Sequence, residues 1–322
     1  MTADPSTVRG VVAAPGPRRR RGLRRVLTGA GAAVLLVFAW YALGDLDWSV
    51  LTAVADPGDL VLLGAAFAVN ALGLALAMLA WRALVVALGS PLDVRTGARI
   101  YFVGVLAKFV PGRVWTLAAN IRMGQAAGVP PARMATVYLL ITLTAVLTGV
   151  AVGLVAAPAV LGGAGLWTAL AVVPLAVLLA RPGLVHRVAV AAARVLRRPA
   201  PQREADAAGI RRTIVGQALS WVVAGVQLWL VAVAAGAPPL RALPLCLGAF
   251  SLAAVAGTLV VVVPDGLGVR EAILMGALAA LLPLPAAGAV VVGSRLVCTL
   301  SEVACAGAVL LATGIPRGRR SR

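Results

Sequence analysis

Apolar residues run in blocks of about 15–27 along almost the whole chain, interrupted by short polar clusters rather than alternating with polar positions. Seven long blocks stand clear, at 26–43, 60–81, 134–157, 166–180, 213–235, 243–263 and 286–312. Blocks of that length and polarity predict helices that cross a bilayer, where a helix satisfies its own backbone hydrogen bonds. Two further stretches, 101–127 and 264–283, are apolar but broken. In the first, a piece from Tyr101 to Val110 is too short to span, Pro111-Gly112 interrupts it, and a second piece runs to about Ala127 before Gly128-Val-Pro-Pro131. Arg113, Thr116 and Asn120 give that second piece a polar face. A re-entrant hairpin and a discontinuous helix both fit. The fold class expected is an all-α polytopic membrane protein with about seven to eight hydrophobic helices plus these two broken elements.

Composition agrees with that class: of 322 residues 61% are hydrophobic and 12% charged, and the mean hydropathy is +0.98. One membrane domain over 26–312 is the simplest organisation, flanked by a disordered basic arm at 1–25 and a basic tail at 313–322. Charge then orients it. Residues 1–25 hold seven arginines, the loop 181–212 holds eight, and the tail holds Arg317, Arg319, Arg320 and Arg322. Residues 44–59 carry Asp45, Asp47, Asp56 and Asp59 with no base. Basic loops stay cytoplasmic, which puts both termini and 181–212 inside a cell membrane and 44–59 outside. Arg187, Arg194 and Arg198 share one face of a helical reading of 181–212, a pattern that also suits a helix lying on an anionic leaflet. A signal peptide is the competing reading of 26–43, but the run is long for a signal core and no clear A-x-A site follows. Seven crossings would separate the basic termini, so one broken element, 264–283 first, is expected to complete a crossing with its neighbours.

The net charge of +18 does not indicate nucleic acid here, since no nucleic-acid-binding module is present. Cys246, Cys298 and Cys305 lie unpaired in apolar segments and read as small buried residues. With His186 the single histidine, neither a metal site nor a Ser/His/Asp triad is supported, and no cofactor is expected. Asn70, Gln217, Ser220 and Gln227 sit inside spans and serve either as glue between helices or as cavity lining.

Candidate chemistry concentrates at the two breaks. Pro264-Asp-Gly-Leu-Gly-Val-Arg-Glu271 combines tight-turn glycines with the expected start of a helix near Val269. Free amides and the positive dipole end at such a start attract an anion. Arg270 adds a fork suited to phosphate, and Glu271 lies in the first turn, where a carboxylate is favoured. The competing reading has Asp265 and Glu271 as plain caps and Arg270 reaching to the interface. In Lys108-Phe-Val-Pro111-Gly112-Arg113-Val-Trp115 two cations flank the break, and Trp115 is an interfacial anchor or a stacking surface. Arg295 and Glu302, two turns apart on one helix face, need partners at that depth, either each other or Arg270 and Glu271. Lys108, Arg113, Arg122, Arg270 and Arg295 are therefore candidate lipid-phosphate ligands. Asp265, Glu271 and Glu302 would balance or gate them. Pro111, Gly112, Pro264, Gly266 and Gly268 form the backbone breaks. Two Gly/Pro-interrupted segments in comparable places of two halves point to a transporter-like site.

These residues resemble the transmembrane, flippase-type region of lysylphosphatidylglycerol synthases. The carriers are Lys108-Phe-Val-Pro-Gly-Arg with Arg122 and Gly128, and Pro264-Asp-Gly-Leu-Gly-Val-Arg-Glu271 with Arg295. The resemblance covers 26–312 and implies a membrane domain that translocates lipid or handles its headgroup. It does not imply aminoacyl transfer, which that family carries out in a soluble C-terminal domain. Many members read Pro-Gly-x-x-Gly-Glu where this chain has Trp115-Thr116, and the missing carboxylate counts against a cationic headgroup. The expected function is a lipid flippase or headgroup-binding transporter-like protein for a phosphate-bearing lipid, and not an enzyme. The alternative is a non-transporting accessory of an envelope glycosyltransferase that uses polyprenyl-phosphate-linked sugars. Membrane lipid is the expected partner, with a glycosyltransferase as the second.

Overall fold

The computed structural model describes residues 57–108, 114–154, 173–184, 187–188, 190–191, 206–260 and 266–313. The expected span 26–43, the arm 1–25, the tail 314–322 and most of 181–205 lie outside them. Eight helices are delimited: α1 (Pro57–Ala87), α2 (Val94–Ala107), α3 (Val114–Ala126), α4 (Pro131–Gly153), α5 (Ala207–Ala234), α6 (Pro239–Leu259), α7 (Val269–Leu278) and α8 (Leu284–Thr313). A further helical stretch occupies 173–180. No strand occurs among the described residues, so the chain is an all-α polytopic membrane protein. Five helices, α1, α4, α5, α6 and α8, are long and apolar enough to cross a membrane.

Helix boundaries follow local chemistry. Asp93 caps α2 by accepting from the Thr96 N–H at 2.9 Å, and Asp206 caps α5 by accepting from the Gly209 N–H at 3.1 Å. Pro131 opens α4, where its missing N–H is no loss. Arginines at one end of the bundle tie down the loops there. Arg82 Nε donates to Leu92 O (2.7 Å), Arg133 Nη1 to Gly89 O (3.1 Å) and Ser90 Oγ (2.6 Å), and Arg211 Nε to Leu179 O (3.0 Å). We refer to this as the basic end.

The closest helix pair is α1 with α5, antiparallel. A Cβ added to Gly73 would lie 3.5 Å from Ser220 O, one on Gly216 3.0 Å from Ala80 Cβ, and one on Gly209 2.3 Å from Ala87 Cβ. Small residues thus recur every seventh position on both helices, at 73, 80 and 87 and at 209 and 216. Lipid tails are as apolar as leucine, so close backbone approach at small residues drives such pairing. The α4–α6 contact repeats the device, with Gly149 against Val255 and Gly153 against Leu252.

The broken elements are both hairpins, and they enter from opposite ends. Helix α2 starts at the basic end. Helix α3 returns there, since Gly124 packs on Met134 and Arg133 bonds Gly89. At 14 and 13 residues, α2 and α3 extend about 20 Å each at 1.5 Å per residue, short of the ~30 Å hydrocarbon core. This selects the re-entrant hairpin. Helix α6 starts at the other end, and α7 goes back to it: Leu278 and Leu282 share a core with Ala237, Ala242 and Val231. Element 264–283 therefore carries the chain back to the end where α6 starts. Gly266 and Gly268, at φ +67° and +84°, turn the chain where an L side chain is strained. A Cβ on Gly266 would lie 2.4 Å from Gly257 Cα, so the turn is pressed onto α6. With α6 and α7 reversing as a pair, α1, α4, α5 and α8 pass from end to end. Helix α8 finishes toward the basic end, where Ala306 packs against Met78 and Ala98.

Candidate functional site

The tips of the two hairpins meet beside α8. Lys108 caps the C-terminus of α2, and its Nζ lies 2.7 Å from Glu302 Oε1 on α8. Glu271, in the first turn of α7, pairs with Arg295 Nη1, again on α8. The same carboxylate accepts from the Gly268 N–H at 2.6 Å, so it caps its helix as well. Each broken element is thus fastened to α8 by one ion pair, with opposite polarity in the two cases. The seven-residue spacing of Arg295 and Glu302, about 10.5 Å along the axis, lets one helix face hold both tips.

A cavity of about 230 Å³ opens between them, with Lys108, Arg270, Glu302 and Tyr101 in its wall beside Asn70 of α1, Gln217, Ser220 and Trp221 of α5 and Phe250, Gly257 and Thr258 of α6. At about 30 Å³ per water it holds some eight waters, the scale of a headgroup and not of an acyl tail. The Arg270 guanidinium lies 5.4 Å from the Phe250 ring centre, a cation–π distance. Its stem runs over Gly257, where an added Cβ would lie 2.9 Å from Arg270 Cγ. Glycine at 257 is what admits this side chain to the wall. Trp221 is fixed by donating from Nε1 to Ala145 O at 3.0 Å. Among the described residues the site therefore combines cations, one carboxylate, neutral hydrogen-bonding groups and aromatic faces, a set able to hold a phosphate and what is attached to it.

The structure brings together Lys108, Arg270 and Glu302 at the cavity and keeps Glu271 and Arg295 as the adjacent pair. Of the partnerings open in the sequence, Arg295 takes Glu271, while Glu302 takes Lys108, a pairing the sequence did not single out. Arg122 is exposed on α3 and not among the cavity-wall residues. Pro111, Gly112, Arg113, Pro264 and Asp265 lie outside the described residues. Trp115 is exposed, as an interfacial anchor would be. The polar residues of α5 divide between the two roles. Gln217 and Ser220 line the cavity, whereas Gln227 is fully buried and accepts from Ser294 Oγ at 3.1 Å as interhelical glue. Asn70 does both, donating to Ser301 Oγ while facing the cavity. Cys246 is buried as expected, but Cys298 lines the cavity. Sequence reading passed over Tyr101, Trp221, Phe250, Gly257 and Thr258. Each looks like ordinary apolar or small span composition, and no local signal sets them apart.

The sequence model of the lysylphosphatidylglycerol synthase TM region matches residues 29–305, taking in both hairpins and α8 through Glu302. A comparison with curated proteins returns no match. The match spans far more than half of the chain and takes in every delimited helix, ending within α8. The chain accordingly belongs to the lysylphosphatidylglycerol synthase TM region family, as a multi-pass membrane protein with a membrane-lipid-related function.

Proposed function

We propose that the protein binds the headgroup of a phosphate-bearing lipid between its two hairpin tips and moves that headgroup across the membrane, without altering it chemically. The observation that supports this most is the convergence of Lys108, Arg270 and Glu302, from three separate elements, on one polar cavity inside an apolar bundle. Ionisable groups at such depth mark ligand pathways, and paired broken helices are where transporters place their sites. Arg270 and Lys108 would hold the phosphate oxygens, with Lys108 donating to the phosphate while it keeps its pair with Glu302. Two hairpins entering from opposite ends offer each tip as a gate to one side. The arginine-rich end would face the cytoplasm of a cell membrane, and α8 would deliver the C-terminal tail there.

The test is transfer of fluorescent phospholipids in proteoliposomes, read by chemical quenching of the outer leaflet. Parent protein should speed transfer above protein-free vesicles. Arg270→Ala and Lys108→Ala should bring it back to the protein-free rate while keeping the parent's elution profile. Unchanged transfer in both variants would sink the site. No transfer by the parent, together with co-purification of a glycosyltransferase, would assign the accessory role instead.

A further inference from the structure

The remaining wall of the cavity faces whatever group the phosphate carries. This inference rests on the phosphate-lipid reading of the site. Beyond the three charged side chains, the wall presents neutral hydrogen-bonding groups whose capacity is not used up. Gln217 Nε2 donates to Ser220 Oγ at 3.1 Å, which leaves its Oε1 and second N–H without a hydrogen bond to any described residue. Asn70 Oδ1 receives only a weak thiol contact, 3.7 Å from Cys298 Sγ. Tyr101 and Thr258 line the same space, and their hydroxyls make no hydrogen bond among the described residues. Gln217 and Asn70 are 7% and 5% exposed, so these are built polar groups inside the bundle and not a solvated rim. Buried polar groups of this kind cost free energy unless a partner meets them.

Among the described residues that line the wall, Glu302 is the one carboxylate, and Lys108 Nζ sits 2.7 Å from it. An ammonium on the headgroup would have to displace Lys108 and then lie beside two cations. A hydroxyl has no such conflict, since it both donates and accepts and so can meet the amide oxygens and the two hydroxyls in turn. We infer that the cavity selects a phosphate joined to an uncharged polyol, either glycerol or a sugar, and rejects amine-bearing headgroups. Arg270 and Lys108 take the phosphate, while Gln217, Asn70, Thr258 and Tyr101 read the hydroxyls.

The experiment is titration calorimetry of the full chain in detergent with dihexanoyl phosphatidylglycerol, phosphatidylinositol, phosphatidic acid and phosphatidylethanolamine, and with glycerol 3-phosphate and inorganic phosphate. The two polyol lipids should bind about tenfold tighter than phosphatidic acid and phosphatidylethanolamine, the margin of one or two net hydrogen bonds. Gln217→Met and Thr258→Val keep side-chain volume, and each should shrink the preference for phosphatidylglycerol over phosphatidic acid toward about twofold. If Gln217→Met fails to fold, Thr258→Val carries the same test at a half-buried position. Phosphatidylethanolamine binding as tightly as phosphatidylglycerol overturns the inference. Equal binding of phosphatidic acid also overturns it, yet leaves the phosphate-lipid reading standing. Folded variants that keep the full tenfold preference overturn it as well. Glycerol 3-phosphate matching phosphatidylglycerol would uphold polyol selection and remove the lipid from the reading. If none of the six binds, both readings fall.

Discussion

The Lys108–Glu302 pair offers the sharpest test of how the first hairpin is held. At 2.7 Å and an effective dielectric near 20, two unit charges attract by about 6 kcal/mol before desolvation. The side chains are 27% and 11% exposed, so most of that gross attraction offsets the cost of taking both ions out of water. What survives should appear as a coupling of about 2 kcal/mol, inside the 0.5–3 kcal/mol range of contacting pairs. Its sign pattern is distinctive. Lys108→Met takes the ammonium away from the Glu302 carboxylate, and Glu302→Gln takes the carboxylate away from the ammonium. Either single change should cost about 3 kcal/mol, as loss of one member of a part-buried ion pair does. Lys108→Met combined with Glu302→Gln removes both charges and should be less destabilised than the sum of the singles by that coupling. Unfolding in mixed micelles at rising dodecyl sulfate fraction, on the four proteins of the cycle, measures it. Additive effects, or single changes under about 0.5 kcal/mol, would refute the claim that this pair fastens the hairpin tip to α8.

Other expectations concern the second hairpin, the helix contacts and one cap. Gly209→Ala should destabilise by about 1–3 kcal/mol, because its Cβ would lie 2.3 Å from Ala87 Cβ and two backbones must part. Gly276→Ala, in open space within α7, should instead stabilise by about 0.5–1 kcal/mol in the same unfolding assay. Gly266→Ala should abolish headgroup transfer, since at φ +67° its Cβ would lie 2.4 Å from Gly257 Cα and would push the turn bearing Arg270 off α6; transfer at the parent rate would contradict this. Arg295→Met should destabilise more than the combination with Glu271→Gln, checked by the same cycle. Asp93 lies outside the membrane-spanning segments, and the Thr96 N–H holds its carboxyl below the ordinary carboxylate range. A depressed folded value means the cap's contribution is complete above the unfolded value and fades as pH falls through the folded one. Amide exchange at Thr96, corrected for intrinsic rate, should therefore quicken below that range, and Asp93→Asn should remove the pH dependence.

Long apolar blocks, caps and breakers are local properties, and they were legible in the residues alone. A run of some 20 apolar residues has little choice but to cross, because its backbone can be satisfied in lipid only as a helix. Pro131 and Asp93 start helices by chemistry confined to one turn, and Val269 opened α7 where the glycines said it should. The need of Arg295 and Glu302 for partners was likewise legible, since charge at that depth demands neutralisation. Which partner each took was not. Lys108 and Glu302 are 194 residues apart, and only the packing of α2 on α8 brings them within bonding distance. Direction also belonged to the tertiary structure. A broken element reads the same whether it crosses or folds back, and contacts of α7 with α5 and α6 decided that it folds back. The cavity wall was hidden for the same reason. Gly257 and Thr258 are unremarkable span residues until Arg270 lies across one and a hydroxyl-lined space opens beside the other. Residue type along one helix sets what a position can do, but a site assembled from six helices exists only once their faces have been rotated against one another.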